Sequence, residues 1–386
     1  MKSFLKSSCF LAALSAFLIF TACKEEKPAV IRITNEKTAV PPAKAPAFLK
    51  KGDKIALVSP AYNTPDSNTY NTANVLKEWG FEPVIGSNVS NLYMGKYAGT
   101  PEERADDFIK AIRDTSIKAI ICNRGGFGAM HLIDLIDFND IANNPKWLVG
   151  FSEISTLHAL EAKMGNMSIH GTMSAFIGKS AGLDAGSLLL KDMLLGKVPT
   201  YKVPANVLNQ KGHAKGILVG GNMASFVPLI GTPIDVYSRD SIILFVEELE
   251  ETLRNVDRMF SSLELRGIMG NVKGVIMGDF TDCDTDLDVD SAQTMLAERL
   301  KKYGIPVMSG FPAGHGNENL PLIMGAEVEM DVTDSGATLS FHVDGKEEVI
   351  NTDEFIAEAN RTRFKADSLQ EQSTPSSDSA SFDNSH

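Results

Sequence analysis

Three residues in this chain of 386 stand where side chains of their types could do nucleophilic chemistry: Ser152, Glu247 and His315. Ser152 lies in KWLVGFSEISTLHAL. There Trp147 to Val149 reads as a buried strand, Gly150 opens a corner, and Ile154, Leu157, His158 and Leu160 recur at helical spacing. Such a corner lifts one side chain above the sheet edge, beside the free N–H groups of a first helical turn. A serine at its tip is either a nucleophile or the helix N-cap, with Ser155 a rival cap. His315 sits in FPAGHGNENLPL between two glycines, neither of which can shield it as core, so its ring is open to proton exchange near neutral pH. Glu247 ends the apolar strand Ile242 to Val246, where it either begins the next loop or orients a histidine. Glu248 is its rival, and Glu248, Glu250 and Glu251 also read as a solvated face. A serine hydroxyl is a weak nucleophile until a histidine takes its proton, and an acid behind the ring holds the required tautomer.

Other groups compete for these roles. His170, in SIHGTM, could line a pocket and is the second choice of base. His158 follows Ser152 by six on the expected helix and points away from the corner, His131, His213 and His342 read as surface or packing, and His386 lies in the tail. HALE at His158 to Glu161 and HGNE at His315 to Glu318 match the H-x-x-E pair of zinc carboxypeptidases, but an open zinc site needs a third protein ligand that neither specifies. The aspartates Asp282 to Asp290 would need Gly at Leu287 and Glu at Gln293 to form a calcium loop. No metal and no cofactor is therefore expected. The loop NRGGFGAM, Asn123 to Met130, carries Gly125 and Gly126, which let backbone N–H groups approach an anion. A dinucleotide fingerprint would need glycine where His131 stands.

These residues need rigid elements. Strand and helix patterns alternate from Ile55 onward, which predicts a mostly parallel α/β sheet over an N-terminal domain, residues 49–203. A second α/β domain, 211–360, follows a connection near Tyr201 to Gln210. It holds the strand SIILFVEEL, a helix from Thr252 to Arg266, the strand VKGVIMGDF and a helix from Ser291 to Tyr303. Residues from Asp367 are rich in Ser, Asp and Gln, and disorder is expected over 367–386.

With 49 acidic against 37 basic residues the net charge is -12, which opposes nucleic acid and anionic membrane surfaces as partners. Residues 1–22 have an export signal's form, with Lys2 and Lys6 before an apolar stretch too short to span a bilayer comfortably. The stretch ends FTAC, and small residues before Cys23 resemble a bacterial lipobox, although Phe20 replaces the usual Leu or Val. Cys23 is thus expected to carry a lipid, and residues 23–48, rich in Lys, Glu, Pro and Ala, to be a tether. Cys122 and Cys283 remain for the folded part, too few and too far apart for a disulfide framework.

Taken in order, RGGFGAMHLIDLIDF, LVGFSEISTLHAL, GGNMASFVPLIGTP, ILFVEELEETLRNVDRM, GDFTDCD and GFPAGHGNENLPLIMG resemble the LD-carboxypeptidase family of serine peptidases, that of muramoyl-tetrapeptide carboxypeptidase. The likeness runs from about Lys51 to Val332. It implies two domains, the second mixed α/β and of swivelling type, with a Ser-Glu-His triad shared between them. Position by position it puts the nucleophile on Ser152, the orienting acid on Glu247 and the base on His315. Glu153 stands where the family has Asp, which is tolerable if only its N–H is used, and EELEE leaves Glu247 ambiguous with Glu248. The N–H of Glu153 and one from Gly125 or Gly126 would then receive the oxyanion. The implied substrate is a murein peptide losing a terminal D-alanine, met outside the inner membrane if the chain is exported and lipid-anchored. The resemblance also admits a peptidyl-nucleotide antibiotic as substrate, and a homodimer. A ligand-binding lipoprotein without turnover is the reading from another class, although a binder has no use for a histidine with an orienting acid.

Overall fold

The structure, a computed structural model, describes residues 43–284 and 286–373. The expected signal segment, Cys23, the tether up to residue 42 and the tail from 374 lie outside the described residues. All the described residues fall in one unit.

The first half reads β1 (Lys54–Val58), α1 (Asp66–Glu78), β2 (Glu82–Ile85), α2 (Pro101–Arg113), β3 (Ile117–Cys122), α3 (Phe138–Asn143), β4 (Trp147–Gly150), α4 (Ser155–Lys163), β5 (Ser168–His170), α5 (Ser174–Lys179) and α6 (Ala185–Leu194). The second reads β6 (Lys197–Pro204), β7 (Gly212–Asn222), α7 (Met223–Phe226), β8 (Ile242–Leu249), α8 (Leu253–Leu265), β9 (Val272–Thr281), α9 (Ala292–Leu300), β10 (Val307–Ser309), β11 (Leu322–Met324), β12 (Glu327–Thr333), β13 (Gly336–Phe341), β14 (Lys346–Asn351) and α10 (Thr352–Ser373). Two sheets result, in the orders β11-β5-β4-β3-β1-β2 and β10-β9-β8-β7-β12-β13-β6-β14. The first is parallel except for β11. The second is parallel from β10 to β7 and antiparallel from β7 to β6. This is the expected α/β class, with a mostly parallel first sheet and a mixed second one.

Local chemistry explains the elements. Strands β1, β3, β4 and β8 are near-continuous apolar runs because both their faces are buried. Ile55 and Leu57 point to one core cluster while Ala56 and Val58 point to the other. Helix α2 begins at a reciprocal cap, with Thr100 Oγ1 accepting from Glu103 N–H at 3.3 Å and Glu103 Oε2 accepting from Thr100 N–H at 2.8 Å.

The chain departs from the sequence reading in four places. The expected tether is ordered at its end, where Phe48 stacks on Trp147 at 5.5 Å and Lys44 pairs with the backbone at Gly165 and Met167. The two sheets exchange segments across the expected boundary. β6, placed with the first domain, is an interior strand of the second sheet, and β11, from the second half, closes an edge of the first. Helix α10 was not anticipated, and it carries residues 367–373 as helix where disorder was expected. Ala129 to Leu135, within the alternating strand and helix pattern expected from Ile55 onward, forms only a 3-10 segment.

One bond shows how the exchange is tied. Tyr201 of β6 is fully buried and its hydroxyl donates to the Pro321 carbonyl, just before β11, at 2.7 Å. Tyr201→Phe leaves that carbonyl unpaired and is expected to lower stability by about 1–3 kcal/mol. Urea unfolding with an unchanged slope checks it, and an unshifted midpoint would show that the tie carries no load.

Candidate active site

The corner after β4 is strained. Phe151 is extended, Ser152 takes the left-handed φ of 62°, and a 3-10 turn over Ser152–Ile154 leads into α4. A non-glycine residue held there costs of order 1–3 kcal/mol and persists only where its surroundings fix it. No side-chain cap bond is made at this helix start, so Ser152 is not serving as an N-cap. Nor is Ser155, whose hydroxyl accepts from Asn222 N–H at the end of β7 at 3.1 Å. Behind the corner, His158 is buried and holds the strand end. Its Nε2–H donates to the Gly150 carbonyl and its Nδ1 accepts from Ser168, each at 2.8 Å. Burial pulls its pKa down to about 4 and keeps the ring neutral. Both nitrogens are therefore spent on the fold, which removes the HALE pair as metal ligands. Glu161 is buried beside Asn166, which donates to it at 2.9 Å, and burial pushes its carboxyl up to about 8.

Glu153 does more than the sequence reading allowed. Its side chain is buried, and Oε1 accepts from the N–H groups of Gly128 and Ala129, each at 2.9 Å, while Oε2 accepts from the Ser225 hydroxyl at 3.3 Å. The carboxylate thereby clamps the glycine loop against the corner. Burial raises its pKa, and the backbone donors act against that rise. Gly125 is the close-approach position: a Cβ there would come within 3.0 Å of Ser152 Oγ and 3.5 Å of Glu153 N. The peptide around Gly125 thus runs past the serine side chain, on the side where Glu153 N–H, in the first turn, has no helical acceptor.

Glu247 and His315 meet. The register places Glu247 opposite Asn222 on neighbouring strands, and its fully buried carboxylate accepts from His315 Nδ1–H through Oε2 at 2.7 Å. Gly314 makes room for this, since a Cβ there would lie 2.9 Å from the same oxygen, and its N–H is held by Asn319 Oδ1 at 3.1 Å. Glu248 turns the other way. Its oxygens accept from Asn222 Nδ2 at 2.6 Å, Ala224 N–H at 2.7 Å and Leu249 N–H at 3.0 Å, so the ambiguity between the two acids resolves to Glu247 as the histidine's partner.

Burial opposes charge on His315, but the Glu247 bond and the fields of Glu247, Glu248 and Asp279 outweigh it and raise the ring's pKa. Asp279, at the end of β9, is itself pushed up to about 6 by burial and by Glu247. The sequence carried it only inside GDFTDCD, with nothing to mark it.

Phe151 joins the halves of the site. Its ring lies 4.9 Å from His315, 5.9 Å from His170 and 5.5 Å from Phe176. His170 is fully buried between Phe151 and Phe245, and burial holds its pKa well below the ordinary value. It is a neutral wedge between the sheets, not a base facing solvent. His131 lies outside this group, with Nδ1 3.2 Å from the Arg104 guanidinium. Ser152 Oγ makes no hydrogen bond to His315 among the described residues; catalytic contacts of this kind commonly tighten only when substrate binds. A cleft of about 570 Å³ opens beside Phe151 and His315.

With this geometry in view the comparisons are specific. Residues 55–171 match the LD-carboxypeptidase N-terminal domain and residues 215–330 the LD-carboxypeptidase C-terminal domain. The chain belongs to the LD-carboxypeptidase family. It is a carboxypeptidase of that family, with the Ser152 corner in the first matched domain and Glu247 and His315 in the second. It is 31% identical to a putative carboxypeptidase of Synechocystis over 77% of this chain and 96% of that one. It is 30% identical to a probable murein peptide carboxypeptidase of Bacillus subtilis, over 76% and 93%. The crystal structure of muramoyltetrapeptide carboxypeptidase from Oxalobacter formigenes superposes with a TM-score of 0.67 at 25% identity, covering 76% of this chain and 99% of that one.

The electrostatics predict a titration. His315 is expected to titrate above the ordinary value of about 6.5, and Glu247→Gln to lower it, as read by NMR of the ring. A lower value in Glu248→Gln and none in Glu247→Gln would reverse the assignment.

Proposed function

We propose that the protein is a serine carboxypeptidase that cuts the L,D bond releasing terminal D-alanine from murein tetrapeptides. The observation that supports this best is the Glu247–His315 bond at the wall of a cleft shared with the residue preceding the strained serine. His315 Nε2 takes the Ser152 proton as Oγ attacks the scissile carbonyl, and Glu247 stabilises the imidazolium through Nδ1–H. Glu153 N–H and an N–H from Gly125 or Gly126 receive the oxyanion, where loss of one donor costs about 3 kcal/mol in the barrier. The proton then passes to the departing amine of D-alanine, and water, deprotonated by the same ring, releases the tetrapeptide's remaining tripeptide from Ser152. The names of the Bacillus and Oxalobacter relatives support murein peptides as the substrate class. The sequence of residues 1–23 supports export and a lipid on Cys23, which would present the enzyme to peptidoglycan or its fragments on the outer side of a bacterial inner membrane or at the outer membrane.

Incubation with a disaccharide tetrapeptide is expected to release D-alanine, read by mass spectrometry. Ser152→Ala and His315→Ala are each expected to lower turnover by about 10⁴ or more, because triad members act as a unit. The base must be neutral, so kcat/KM should fall as pH drops through the raised His315 pKa, with an acid limb above about 6.5. Near-full rate in Ser152→Ala would remove the serine mechanism. Binding of the peptide without release would leave a carrier, and hydrolysis of a peptidyl-nucleotide alone would move the substrate class. Loss of activity with EDTA and its return with zinc would restore the HGNE reading.

A further inference from the structure

The cleft beside His315 has a wall beyond the matched domains. Helix α10 starts after residue 330, where the match to the C-terminal domain ends, yet its Arg363 and Ala366 line that cleft together with Lys179 from α5. The helix is pinned there. It packs on β6, β14 and α6, its Ala359 is buried, and Asn360 Nδ2 donates to Glu318 Oε1, three residues beyond His315, at 3.1 Å. Arg363 follows Asn360 by three and so shares its face of the helix.

Among the described residues the cations of the cleft form no ion pair, and its acids are engaged. Among the described residues no carboxylate lies within ion-pair distance of Arg363 or Lys179. Asp184 caps α6, accepting from Ser187 N–H at 2.9 Å and from the hydroxyls of Ser187 and Ser180. Glu318 accepts from Asn360, and burial raises its pKa, with Asp184 adding to the rise while Asn360 and Arg363 oppose it. A guanidinium with its fork free, on the wall that carries the base, fits a planar carboxylate. In a carboxypeptidase the residue that leaves carries one, a single residue from the scissile bond.

We propose that Arg363, with Lys179 beside it, binds the free carboxylate of the substrate's C-terminal residue and makes the cleft select for chain ends. This specificity role rests on the carboxypeptidase reading above and assigns to a helix outside the matched domains the feature that makes the enzyme an exopeptidase.

The test compares two peptides, a murein tetrapeptide ending in D-alanine and the same peptide ending in D-alaninamide, on the full-length protein in detergent. The wild type is expected to prefer the free acid. Arg363→Gln should raise KM for the acid about ten-fold or more, leave the amide rate unchanged and so erase the preference, while Arg363→Lys restores part of it. Lys179→Gln should shift KM in the same direction by less. Thermal unfolding midpoints equal to wild type show that α10 remains docked. Equal losses on both peptides would make Arg363 a structural residue and overturn the proposal, as would an acid preference intact in Arg363→Gln. In either case D-alanine release by the wild type leaves the carboxypeptidase reading standing. Failure of the wild type to cleave either peptide would overturn both.

Discussion

The site depends on one buried carboxylate. Glu247 is fully withdrawn from water at the end of β8, and a carboxyl group in that position needs a partner that supplies a hydrogen bond. His315 is that partner, and it arrives from a loop 68 residues further along the chain. Removing the ring would leave the buried Oε2 without its hydrogen-bond donor. Removing the acid would leave the ring's tautomer unfixed and its pKa without its main support. The geometry of the 314–319 loop, with glycine facing the carboxylate and Asn319 closing it, follows from the need to bring an imidazole to this one place.

The second requirement is that the strained corner after β4 be held near a histidine borne by the other half of the chain, with Phe151 4.9 Å from the His315 ring. The contacts that meet it lie on either side of Ser152. Glu153 ties the corner to the glycine loop and to Ser225, and Ser155 ties it to Asn222, the residue in register with Glu247. The same stretch that carries Ser152 is therefore fastened to the strand end beside Glu247. Farther off, Tyr201 and the exchange of β6 and β11 keep the two sheets from moving independently. The interlocked sheets join the Ser152 corner and the Glu247–His315 pair within one fold.

Much of this was legible because local signals agreed. The corner after β4 announced itself by an apolar run, a glycine and a change of period, and Glu247 and His315 by a strand end and a glycine-flanked loop. What escaped was set by partners distant in sequence. β6 reads KVPTYKVP, and its prolines and lysines suggest a connection, while the alternation of buried Tyr201 and Val203 with exposed Lys202 and Pro204 becomes visible only once β13 and β14 flank it. β11 is three residues long, and nothing within LIM says that it pairs with β5. Glu153 looked like a residue used for its N–H alone, because the donors that claim its carboxylate, Gly128 and Ala129, are about 25 residues upstream. The choice between Glu247 and Glu248 could not come from the sequence either, since adjacent residues on a strand face opposite sides and only the location of the histidine says which side is the site.

Strain and clamping at Ser152 are two aspects of one design. A left-handed φ at a serine stores unfavourable energy that an unrestrained loop would release by relaxing to an ordinary conformation. Here relaxation is blocked on three sides: His158 grips the Gly150 carbonyl before the corner, Glu153 grips the glycine loop across it, and Ser155 grips β7 after it. Each grip comes from α4 or the turn that begins it, so the helix that follows Ser152 also holds the corner. The consequence is that the backbone at Ser152 is held from both sides. Preorganisation of this kind is what lets fixed N–H groups act on a developing oxyanion without reorganising at the moment of reaction.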